Sequence, residues 1–116
     1  MIRIKRNHKY GFVDRKLTLV IPCKYNSATD FIDGISICTL KQETLLINTK
    51  GETVLKTKGT ITPVTTSYYL VKDEEGEKLT DKKGQVLFTG VEGWQISKDK
   101  HLIIELENKS KKIIKL

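Results

Sequence analysis

The chain has 116 residues, with 21 Lys/Arg against 14 Asp/Glu, a formal charge of +7, and 38% hydrophobic residues. That length fits one domain with a core of its own, and that composition excludes a disordered chain. No apolar run approaches the ~18 residues of a membrane-spanning helix, and no secretory-type apolar stretch follows the basic start MIRIKRNHKYGF, so a cytoplasmic protein with no membrane role is expected.

In chain order, Ile2 and Ile4 alternate with Arg3 and Lys5 in a leading strand. The segment YGFVDRKLTLVI follows, with Leu17, Leu19 and Ile21 on alternate positions, and then a further strand, ISICTL, from Ile35. Next comes LLI, the turn phrase Asn48-Thr49-Lys50-Gly51, and ETVL; then YYLVK from Tyr68; then KLT, a second phrase, Asp81-Lys82-Lys83-Gly84, and QVLF. WQIS from Trp94 and HLIIELE from His101 precede the last pair of residues with strand character, in KKIIKL. No window carries a helical period. The apolar residues alternate or run in short blocks, which is the pattern of strands.

The two phrases are hairpin tips. Asn48 or Asp81 suits the first position because its side chain accepts from the backbone two residues on. Gly51 or Gly84 suits the last because glycine has no Cβ to clash at positive φ. Asp14, Asn48, Asp81 and Glu107 mark the same place in four successive hairpins, at steps of 34, 33 and 26 residues. A period in this range marks a repeat architecture. The expected fold is all-β, an antiparallel meander of about 11–12 short strands built from three-stranded repeats of about 33 residues, coiled open or partly closed as a barrel. The units of this single domain fall at about residues 8–40, 41–74, 75–99 and a partial 100–116. In the first unit Leu17 stands where glycine would sit. Positive φ there would cost an L-residue ~1–2 kcal/mol, so a turn of different shape is expected.

The first unit, KYGFVDRKLTLVIPCKYNSATDFIDGISI, resembles the WG (KWG) repeat of bacterial proteins. Tyr10-Gly11-Phe12-Val13-Asp14 matches its opening, and Val20-Ile21-Pro22, Tyr25, Ala28 and Phe31-Ile32-Asp33-Gly34 follow in order and spacing. The later units keep only the hairpin, and Gly93-Trp94 reverses the signature dipeptide. The resemblance implies an all-β repeat fold and an interaction module with no assigned catalytic residues. By analogy it also fits a bacterial immunity or accessory factor.

The residues do not point to chemistry. Cys23 and Cys38 are too few for a disulfide framework and read as small hydrophobes. His101, Glu105 and Glu107 share a strand face, yet two ligand-type residue kinds on one strand do not make a zinc site. Asp30 and Asp33 read as turn formers before Gly34. No catalytic residue, cofactor or metal is therefore expected. Tyr68, Tyr69 and Trp94 are the candidates for contact with a partner protein; for Trp94 the core reading is the favoured one, since tryptophan is mostly buried on average. The alternative is nucleic-acid or polyanion binding through basic ends. Residues 1–33 carry seven Lys/Arg against three acids and residues 93–116 six against three, with Arg3, Lys5, Arg6, Lys111, Lys112 and Lys115 as its residues.

Overall fold

Alternating and short apolar blocks become strands throughout. The computed structural model describes residues 1–116 and contains no helix. The first sheet holds β1 (Ile2–Arg6), β2 (Lys9–Val13) and β3 (Leu19–Tyr25), in that order. The second holds β4 (Ser27–Ala28), β5 (Ile35–Leu40), β6 (Glu43–Asn48) and β7 (Thr53–Thr57). The third holds β8 (Thr60–Pro63), β9 (Tyr68–Asp73), β10 (Gly76–Asp81) and β11 (Val86–Phe88). The fourth holds β12 (Val91–Ile96), β13 (His101–Leu106) and β14 (Lys111–Lys115). Every pairing is antiparallel between strands consecutive in the chain, so the expected all-β, unclosed repeat fold is present. Its fourteen strands are divided among four separate sheets, because the ladder breaks after Tyr25, Thr57 and Phe88.

The hairpin tips share one geometry. The Oδ1 atom of Asn48 accepts from the backbone N–H of Lys50 and of Glu52, each at 3.0 Å, and that of Asp81 accepts from Lys83 and Gln85, each at 2.9 Å. Gly51 and Gly84 sit at φ of +80° and +82°. The first turn corrects the expectation of a different shape. Asp14 Oδ1 accepts from Lys16 and Thr18, both at 2.9 Å, and Leu17 takes φ of +64° in the glycine position. The backbone bonds closed around Asp14 outweigh the Cβ strain at an exposed leucine. A fourth turn of this form begins at Leu106, one residue before Glu107, with Lys109 at φ of +69° in the glycine place.

The sheets stack face to face, and three apolar clusters lie between them. Phe12, Ile21 and Tyr25 of the first sheet meet Cys38, Leu45 and Ile47 of the second. Ile35 and Leu46 of the second meet Ile61, Tyr69 and Val71 of the third. Leu79 of the third, with Val64, meets Val91, Leu102 and Ile104 of the fourth. The two inner sheets are thus buried on both faces, which is why TLLI reads as a continuous apolar run: Leu45 and Ile47 point one way and Leu46 the other. The result is elongated, 48 × 32 × 18 Å.

Between the third and fourth sheets the connection is short, and no counterpart of the leading strands β4 and β8 forms. The chain therefore enters the fourth sheet one strand early, and the sheet is turned over. Phe12, Leu46 and Leu79, each two residues before its turn, face the next sheet, whereas Ile104 in the same place faces back to the third.

Candidate interaction surfaces

The second and third sheets leave a cleft between them. Asp33 and Gly34 take φ of +51° and +84°, a two-residue reversal that lets Ile32 pair with Ile35 and closes the segment leading into β5. Ile32 is left 59% exposed at the rim. Ile35, Ile37 and Tyr69 form the floor, and Pro63 and Val64 form the far wall of a space of 270 Å³. Thr29, Thr65 and Thr66 edge it, so its surface is apolar inside and uncharged at the lip except at Asp30. Burial, and then the carboxylate of Asp33, pushes the Tyr69 phenol above its ordinary value, so it is neutral at physiological pH. Across the top, Lys82 reaches Asp33 at 2.9 Å and ties the turn of the third sheet to the second.

The three aromatic residues singled out from sequence go to three places. Tyr69, 4% exposed, lines the cleft floor; Tyr68 on the opposite face of β9 packs on the third apolar cluster; Trp94 lies on β12. Trp94 is 41% exposed and Ile96 48%, so the core reading of Trp94 is corrected: the end of β12 is left uncovered.

The basic residues do not merge into one field. Arg3 donates to the Ala28 carbonyl at 2.8 Å, approaches Asp30 at 3.7 Å and lies over the Tyr10 ring, as does Lys5. Arg6 is exposed at the end of β1. Lys111, Lys112 and Lys115 are on β14, in the sheet at the other end of the stack. A lysine group that the sequence did not single out lines a broad cleft of 890 Å³: Lys56, Lys58, Lys72 and Lys78, interleaved with Asp73, Glu74 and Glu75. Those residues come from β7, β9, β10 and their loops, and the segment DEEGE reads in sequence only as an acidic tip. His101 is half-buried, and no three His, Cys, Asp or Glu side chains gather as a ligand set.

The first sheet and the start of the second carry the decisive sequence signature. Residues 10–37 match the family model of the WG containing repeat. No curated protein and no solved structure matches the chain. The residues of the matched segment have folding roles. A Cβ on Gly11 would lie 2.5 Å from the Ile21 carbonyl oxygen and 2.7 Å from the Cys23 nitrogen, so only glycine lets β3 cross there. Phe12 and Tyr25 are buried in the first cluster, and Phe31 meets Phe12 edge-on with ring centroids 4.6 Å apart. Asp14 caps the turn. Ile32, between the signature Phe31 and Gly34, is turned outward onto the cleft rim.

Proposed function

We propose that this chain is a non-enzymatic module that binds another protein, with the cleft between the second and third sheets as the contact. The observation that carries this reading is the apolar slot of Ile35, Ile37, Pro63 and Val64, floored by Tyr69 and bordered by the exposed Ile32. A preformed apolar pocket with a polar lip suits one inserted apolar side chain, around which the rest of an interface closes. The WG repeat supplies one wall, which agrees with the role of such repeats as interaction modules. A bacterial immunity or accessory factor is one protein of this kind.

Polyanion binding is the second reading. It draws on the lysines of the broad cleft and on the basic ends, and it requires an affinity that falls steeply with salt. The interleaved acids and the separation of β1 from β14 favour the protein reading. The test is a capture experiment with the native lysate, after nuclease treatment and at raised salt, using the wild type and Ile32→Asp. Ile32 is exposed, so the variant should melt as the wild type does. Partners that survive nuclease and salt and are lost with Ile32→Asp support the cleft. Partners removed by nuclease or salt support the polyanion reading.

A further inference from the structure

Four open sheets present eight edges, and an unguarded edge is a template for another strand. Seven are guarded. β1 carries Arg3, Lys5 and Arg6; β14 carries Lys111, Lys112 and Lys115; β7 carries Lys56. Pro22 interrupts β3 and Pro63 ends β8, while β4 has two residues and β11 three. The eighth edge, β12, has its one charge, Glu92, at the bulge near its start, and from there the four residues Gly93–Ile96 run with no charge and no proline. There the chain's single tryptophan and Ile96 stand exposed.

We propose that β12 pairs antiparallel with β12 of a second copy of this chain, about a two-fold axis at Gln95. The backbone sets the register. The Ser97 N–H donates to the His101 carbonyl at 2.9 Å, so Ser97, Gln95 and Gly93 turn their backbone groups toward β13. Trp94 and Ile96, one residue out of phase, turn theirs to the free edge. A two-fold pairing must match outward residues with outward residues. Centred on Gln95, Trp94 of each copy meets Ile96 of the other, exchanging backbone hydrogen bonds. The Gln95 residues then face each other as a non-hydrogen-bonded pair on the axis.

The side chains agree with that register. Trp94 and Ile96 share a face, as their partners Ile104 and Leu102 show, so the dimer makes two aromatic–aliphatic cross-strand pairs. The paired stretch is confined to Gly93–Ile96, because Glu92 is the bulged residue at one end and Lys98 lies in the turn at the other. In its own chain Glu92 meets the exposed Lys109 at 3.2 Å. The same operation on β1 or β14 would set Arg and Lys against themselves. The chain's positive charge opposes association in general, so the stretch Gly93–Ile96, which carries no charge of either sign, is where two copies can meet.

Sedimentation velocity over a concentration series tests the proposal, with Trp94 fluorescence as the local report. The expected result is a monomer–dimer equilibrium, with emission moving to the blue as dimer forms. Ile96→Lys should be monomeric. Gln95→Cys gives the sharpest check. A non-hydrogen-bonded pair holds its Cα atoms about 4.5 Å apart, within disulfide reach, so mild oxidation should cross-link this variant and not the wild type. A monomer at every concentration overturns the proposal. So does a dimer that Ile96→Lys leaves intact and Gln95→Cys fails to cross-link, because the contact then lies elsewhere. Neither result bears on the cleft between the second and third sheets.

Discussion

Leu17 and Gly51 hold the same position in the same turn, at φ of +64° and +80°, each donating its N–H to the first residue of the turn, Asp14 or Asn48. One is an L-residue in the left-handed region, the other the residue that region favours. Leu17 is 72% exposed, so its side chain contributes little packing to offset the strain. Leu17→Gly should therefore stabilise by about 1 kcal/mol, most of the ~1–2 kcal/mol cost of the left-handed conformation less the entropy that glycine adds to the unfolded chain. Chemical denaturation of the variant checks it, and an unchanged or lower midpoint would refute the shared-turn assignment.

Gly84 and Gly51 should not tolerate the reverse change. A Cβ on Gly84 would run into the Val54 carbonyl of the preceding sheet, and one on Gly51 would lie 3.3 Å from the Ile21 side chain. Substitution by Val adds contact with the previous sheet to the φ strain. Losses of about 2 kcal/mol or more are expected, larger at Gly84, where the obstacle is backbone. Thermal melts of the two variants measure the difference.

Gly11 makes the equivalent prediction for the signature of the WG repeat. Gly11→Ala would drive a methyl group into the backbone of β3 at Ile21 and Cys23, and a loss of about 1–3 kcal/mol is expected. Pro22, exposed in the same strand, should accept Ala with a much smaller effect. Paired denaturation curves would refute this account if the two variants lost equal stability.

Thr80 is fully buried on β10, on the face toward the second sheet, and its hydroxyl has no hydrogen-bond partner among the protein's own groups. An unsatisfied buried hydroxyl costs about 1–3 kcal/mol. Valine has nearly the same shape, so Thr80→Val should raise stability by about 1 kcal/mol, read from the urea midpoint at unchanged slope.

Burial raises the Cys38 thiol and the Tyr25 and Tyr69 phenols above their ordinary values. In the unfolded chain these groups ionise at their ordinary values while the folded chain still holds their protons. Their contribution is whole below about pH 9 and is lost as pH rises, first through Cys38 and then through the tyrosines. Urea midpoints from about pH 7 to about pH 11 should be flat and then fall. Tyr69→Phe should make the alkaline fall shallower, and an unchanged slope would count against a buried phenol at that site.

The hairpins were legible in the sequence because their chemistry is local. The carboxylate or amide of Asp14, Asn48 or Asp81 reaches backbone two and four residues on, and such contacts need nothing from the rest of the chain. The all-β class and the WG repeat at residues 10–37 are legible for the same reason. Leu17 was misread because its strain is visible in the sequence, whereas the hydrogen bonds that outweigh it are visible only in the turn.

What the tertiary structure decided is which faces meet. Alternation tells that Leu45 and Leu46 point to opposite sides, but not that each side is covered by a different sheet. Strands as short as β4, and the breaks after Tyr25, Thr57 and Phe88, depend on how far each sheet can twist before stacking wins over another rung of pairing. The exposure of Trp94 follows from the missing leading strand of the fourth sheet, which turns that sheet over and leaves the end of β12 uncovered. The cleft at Ile32 and Tyr69 joins residues 37 positions apart. Local propensity acts along the chain, and burial is settled by contacts between segments far apart in it.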